Sequence, residues 1–259
     1  MTAPTRSVAL LVTCLVDALR PSVAEATVAL LGQAGFAVAV PRQGCCGQPL
    51  LNAGDADGAA DLARRMIAVF AGYDFVVAPS GSCIATLREY PRLFAPGSAD
   101  AAAAQDLAAR AFEICDFLDR HAAVLENAPR WDASVAYHDA CSGLRQLGIR
   151  NQPRALLSQL PGLELRELAT AEAAECCGFG GLFCVKYPAV SAQIADRKLD
   201  AVLATGADFL VGGDLGCLLH LEGRLQRRGL PLRAVHVAEA LAGQVPGGGQ
   251  GPADGSGRG

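Results

Sequence analysis

Little in this sequence suits a nucleic-acid or membrane role. Its 22 lysines and arginines are outnumbered by 26 aspartates and glutamates, so no basic excess exists to neutralise a phosphate backbone. The longest uncharged run, residues 26–41, spans 16 positions and is interrupted by Gly32, Gln33 and Gly35. That falls short of the roughly 20 apolar residues a bilayer crossing needs. Arg6 followed by residues 8–16 has the outline of a weak signal peptide, but Asp17 and Arg20 follow at once and no leader is expected. The chain also has no G-x-G-x-x-G between a first strand and a helix, so NAD or FAD binding is not expected. The C-x2-C knuckles usual at structural zinc are absent too.

Cysteine, by contrast, is abundant. Ten cysteines stand in 259 residues, and eight of them repeat in register. Cys14, Cys45, Cys46 and Cys83 form one set, and Cys141, Cys176, Cys177 and Cys217 form a second. The offset between the sets grows only from 127 at Cys14/Cys141 to 134 at Cys83/Cys217, as small loop insertions would make it. Each adjacent pair is followed by glycine, Gly47 or Gly178. The chain therefore carries an internal duplication.

Three chemistries use thiols in such numbers. A disulfide framework stabilises small chains that lack a core, whereas this chain is 51% hydrophobic, and adjacent cysteines bond each other only with distortion. Structural zinc is the second reading, and iron–sulfur clusters held by four thiolates are the third.

Hydropathy patterning alternates strand and helix. Strands are expected at residues 8–13, 36–40 and 75–79, with helices at 18–33, 55–71 and 83–94. The second copy follows with strands at 135–138, 163–168, 209–213 and 234–237, and helices near 143–160, 188–205 and 217–228. This predicts an α/β protein of two duplicated Rossmann-like half-domains, each a parallel sheet flanked by helices. The half-domains are expected at residues 1–98 and 131–242. An Ala-rich linking helix is read over 99–130, and a disordered tail over 243–259, where eight glycines leave almost nothing to bury. In open parallel sheets, sites form beyond the carboxyl ends of strands, and each cysteine set follows three predicted strands. One thiolate site per half is expected.

The Cys-Cys-Gly pairs resemble the cysteine-rich CCG-domain family, which includes the CCG-containing component of heterodisulfide reductase and the iron–sulfur component of glycolate oxidase. Residues 79–83 (PSGSC), 137–141 (YHDAC) and 176–188 (CCGFGGLFCVKYP) are similar to its lactate-utilization branch, over about residues 7–242. That resemblance implies an electron-transfer subunit of a multi-subunit L-lactate-oxidising complex of the dehydrogenase type, without an assured activity alone. It implies one iron–sulfur cluster, of the [4Fe-4S] kind, in each half, held by the eight repeated cysteines. The implied partners are a ferredoxin-like iron–sulfur subunit and a third small subunit. In the heterodisulfide reductase relative each unit has a fifth cysteine, and the matching positions here are Ser80 and Asp214, which become candidate oxygen ligands.

The alternatives are a zinc-holding scaffold protein and a heterodisulfide or thiol-disulfide reductase. The second set collects titratable neighbours, His138, Asp139, Asp214 and His220. His138 is the candidate to accept a proton from a hydroxyacid or to tune the cluster, the plainer reading being a hydrogen-bonded histidine at a strand end. Cys184 reads as a structural helix-start cysteine or a ninth thiol, and Cys115 as core. Abundant free thiols without a leader or membrane span lead us to expect a cytoplasmic protein.

Overall fold

The computed structural model describes residues 6–122, 125 and 127–245. The glycine-rich tail from residue 246 onward lies outside the described residues, while Val245 still packs against the core.

Among the described residues, eight short strands build two parallel sheets. In the first half these are β1 (Ser7–Leu10), β2 (Ala37–Ala39), β3 (Phe75–Ala78) and β4 (Ala111–Glu113), in the order β2-β1-β3-β4. In the second they are β5 (Ala133–His138), β6 (Leu163–Arg166), β7 (Phe209–Gly212) and β8 (Arg233–His236), in the order β6-β5-β7-β8. Every pairing is parallel, and the same topology is built twice.

Alternation along the strands sorts the core. Val8, Val77, Val135, Tyr137, Val211 and Val235 enter one cluster shared by both halves. Their neighbours Ala9 and Val76 enter a first-half cluster, and Ala136, Leu210 and Ala234 a second-half one. Side chains on successive residues point to opposite faces, so the central strands β1, β3, β5 and β7 are buried on both sides, and β1, β3 and β7 read as short apolar runs.

Several segments differ from the sequence reading; the helix expected near 143–160, for one, is two, Cys141–Gln146 and Asn151–Leu157. The stretch expected as one linking helix folds as a helix (Ala99–Ala109), strand β4 and a second helix (Ile114–His121). Three residues give too short a pattern to betray a strand, and β4 exists because Val76, Val77 and Ala78 pair with it. The helix expected over 18–33 is two helices, Cys14–Leu19 and Ser22–Gln33, interrupted at Arg20 and Pro21. Proline cannot donate within a helix, so a new one starts after it. Among the described residues, no helix is long and apolar enough to cross a membrane.

Several contacts lock the halves together. Arg20 and Ser22 both donate to the buried carboxylate of Glu239, at 3.0 and 2.7 Å. His236 Nε2 lies 3.1 Å from the carbonyl oxygen of Pro79. A Cβ on Gly81 would sit 3.1 Å from the backbone of Gly143, so a larger residue would push their two helices slightly apart there.

Candidate metal centres

Both cysteine sets emerge at the carboxyl ends of their sheets. Cys14 begins the helix that follows β1, and Cys83 lies in the first turn of the helix Gly81–Glu89 that follows β3. Cys45 and Cys46 stand in the loop after β2. The second half repeats this, with Cys141 opening the helix Cys141–Gln146, Cys217 in the first turn of Leu215–Arg228, and Cys176 and Cys177 in the loops after β6. Helix N-termini favour negative charge, so each set presents sulfurs where a thiolate is stabilised.

Folding brings each set together. Thiol contacts run from Cys14 to Cys45, Cys46 and Cys83, the last step a 3.5 Å hydrogen bond donated by Cys46 Sγ to Cys83 Sγ. The same chain runs from Cys141 through Cys176 and Cys177 to Cys217. All ten cysteines are free. In each set the two later thiols, such as Cys46 and Cys83, are buried, and the other two remain accessible.

The electrostatics also repeat. Hydrogen bonds from Cys14 and Cys46 hold Cys45 far below the usual thiol range, helped by the Gly47 N–H at 3.5 Å. Cys141 and Cys177 do the same for Cys176, helped by the Gly178 N–H at 3.3 Å. The surrounding thiols Cys14, Cys46, Cys141 and Cys177 are pushed up, first by their sulfur neighbours and then by burial. In each set the surroundings therefore favour the thiolate at one sulfur, Cys45 or Cys176, amid thiols that a bound cation would deprotonate. Gly47 and Gly178 both adopt left-handed φ, 86° and 87°, a conformation that favours glycine, and their N–H groups donate to the sulfurs of Cys45 and Cys176.

The first set lines a cavity of ≈ 330 Å³ with apolar walls from Leu15, Phe179, Leu182 and Val185. The second lines a smaller one of ≈ 80 Å³. Gln48, Asn52, Ser82, Phe179, Gly181 and Asp214 line both, so the cavities adjoin.

His138 ends β5 and is fully buried, with both ring nitrogens lacking hydrogen-bond partners. One of them lies within 4.8 Å of the sulfurs of both Cys177 and Cys217. Burial lowers its pKa to about 3, with a contribution from Lys198. It lines neither cavity. A buried imidazole beside two sulfurs is an incomplete polar group in the protein alone, and a metal or cluster fits it.

The remaining sequence candidates have local partners. Ser80 Oγ and Asp214 cap the two helices that carry Cys83 and Cys217, accepting from Cys83 N and Gly216 N. Asp139 forms a buried pair with Arg154, at 2.8 and 2.9 Å, and His220 lies 3.1 Å from Ser191 Oγ. Cys184 donates to the carbonyl of Gly181 and lines neither cavity, and Cys115 is buried in the shared core. Sequence reasoning passed over Lys198, fully buried behind the second set, and Tyr90, whose hydroxyl donates to the Cys46 carbonyl at 2.7 Å.

The cysteine-rich domain family called CCG matches residues 8–88 and 135–222, the two cysteine sets with their sheets. The Lactate utilization protein A of Exiguobacterium sp. (strain ATCC BAA-1283 / AT1b) is 42% identical over 238 residues, covering 91% of this chain and 96% of that protein. This chain belongs to the lactate utilization protein A family of CCG proteins. Further family members, from Geobacillus kaustophilus and Macrococcus caseolyticus, are 42% and 41% identical and cover 90% and 92% of the chain, and 98% and 97% of their own lengths. A hypothetical protein from Helicobacter pylori shares the fold with TM-score 0.68 at 10% identity, covering 95% of this chain. This chain spans half of that one's length.

Proposed function

We propose that this chain is the iron–sulfur electron-transfer subunit of an L-lactate-oxidising complex. The observation that carries the reading is the recurrence of four converging thiols at the same sheet edge in both halves. Cys14, Cys45, Cys46 and Cys83 would hold one cluster, and Cys141, Cys176, Cys177 and Cys217 another, four thiolates being the complement of a [4Fe-4S] centre. A cluster accepts and releases single electrons. The chain's part is to supply thiolates, to aim backbone N–H groups at sulfur from Gly47 and Gly178, and to wall the sites with apolar side chains.

The lactate assignment rests on relatives called lactate utilization proteins that match nearly the whole chain. A ferredoxin-like iron–sulfur subunit and a third small subunit complete the proposed complex, in the cytoplasm. Ser80 and Asp214 serve the helix caps in this reading, and the four thiols suffice without them. His138, shielded from both cavities, acts on the thiols in front of it rather than on a hydroxyacid.

A second reading is favoured by one grouping. His138, Cys177 and Cys217 offer a mixed nitrogen and sulfur set, which also suits structural zinc in a scaffold protein. Adding L-lactate to the anaerobically assembled complex separates the two. Bleaching of this chain's visible absorption supports electron transfer, and a colourless chain with tight stoichiometric zinc supports the scaffold.

A further inference from the structure

The two thiol sets match in ligands and differ in what stands behind them. Three residues before Cys141 is His138, and three before Cys14 is Leu11, both buried. The helix Pro188–Ala204 buries Ala195, Lys198 and Val202 against the second sheet, and the helix Ala56–Val69, with its C-cap Phe70, buries Ala63, Met66 and Phe70 at the same spacing against the first. A histidine and a lysine in the second half thus replace a leucine and a methionine in the first.

Both replacements act on the second set. Both ring nitrogens of His138 are unpartnered, and one of them lies within 4.8 Å of the Cys177 and Cys217 sulfurs. Lys198 is fully buried, spends two of its three N–H bonds on the carbonyls of Glu172 and Ala173, at 2.7 and 2.9 Å, and acts electrostatically on Cys176, Cys177 and Cys217. The nearby negative groups do not offset this selectively. Asp139 is engaged by Arg154, Glu175 is half-exposed, and Asp214 lines both cavities alike. A cluster gains an electron more readily when hydrogen bonds reach its sulfurs and positive charge lies in the surrounding low dielectric.

Resting on the cluster reading above, we infer that His138 and Lys198 tune the second site to a higher reduction potential than the first. A ring nitrogen of His138, unpartnered in the protein alone, faces the Cys177 and Cys217 sulfurs and would donate its N–H to a cluster held there, and Lys198 supplies the buried charge. An electron held by the pair therefore resides in the second half, with that site reduced and the first oxidised. Both are positioning residues for the electron and touch no substrate.

The test is an EPR-monitored redox titration of the full chain, reconstituted anaerobically with iron and sulfide, for wild type, H138L, H138Q and K198M. Wild type should give two midpoints, and C14S should remove or alter the lower one. K198M should lower the upper midpoint and leave the other unmoved. H138L should do the same, with partial rescue by H138Q, which keeps an N–H donor. If H138L fails to hold iron at the second site, K198M and H138Q still decide. Iron present with both midpoints unmoved, or with the upper one assigned to the first site by C14S, overturns the inference alone. Wild type that binds no iron or sulfide overturns the cluster reading with it.

Discussion

Ser80 and Asp214 face each other across an antiparallel bridge between the two halves, with Ser80 Oγ donating to Asp214 Oδ2 at 3.2 Å. The same Asp214 oxygen accepts from Ser82 N at 3.0 Å, in the first turn of the other half's helix, while Oδ1 accepts from its own Gly216 N. One carboxylate thus caps the two helices that carry Cys83 and Cys217, and it joins the two candidate centres mechanically.

Removing it should loosen both. A lost N-cap costs about 1 kcal/mol, so S80A should lower stability by about that much in urea unfolding. D214A, which strips a cap from each half, should cost about twice as much, and D214N should recover most of it. Iron content of reconstituted S80A should equal that of wild type, because Ser80 serves the helix and not the cluster. A loss of iron in S80A with its fold intact would make Ser80 a ligand.

The glycines after the cysteine pairs should respond unequally. Left-handed φ costs an L residue about 1–2 kcal/mol, which G47A should show, since the nearest atom to a new Cβ there is 3.7 Å away. At Gly178 a Cβ would lie 2.5 Å from the Ser191 carbonyl oxygen, in backbone that cannot yield cheaply. G178A should therefore unfold at a lower temperature than G47A and bind about half the wild-type iron, losing only the second site. Equal melting of the two variants would contradict this.

Glu113 should make stability fall with pH. It caps the helix Ile114–His121 from full burial, and that burial raises its carboxyl from 4.5 to about 8 despite N–H bonds from Cys115 and Asp116. Between those values the folded chain keeps a proton that the unfolded chain releases. The contribution is fully present below pH 4.5 and is lost as pH rises through about 8. Urea unfolding of E113Q should lack this slope, so E113Q gains on wild type across that window. Parallel pH profiles would rule Glu113 out as the cause.

Much of this was legible in the sequence, for identifiable reasons. The duplication was readable because eight cysteines keep register, and the parallel sheets because strands such as β3 and β7 are short apolar runs buried on both faces. Strand β4 was not, because Ala111–Glu113 lies in an alanine-rich stretch whose local preference is helical and whose strand state depends on pairing with β3. The role of Ser80 was hidden for a similar reason. A serine before a helix announces a cap, but its partner Asp214 is 134 residues away. Lys198 escaped notice because a lysine on an amphipathic helix reads as solvated. Only the fold, which buries it completely and ties its Nζ to the carbonyls of Glu172 and Ala173, shows that it occupies a core position.

The central claim is that each cysteine set holds its own iron–sulfur cluster. Iron and acid-labile sulfide, counted per chain after anaerobic reconstitution in wild type, C46S and C177S, test it most directly. The account predicts about four iron and four sulfide for each half, with each single variant reduced to about half. Stoichiometric zinc without labile sulfide, or full iron retention in both variants, would contradict it.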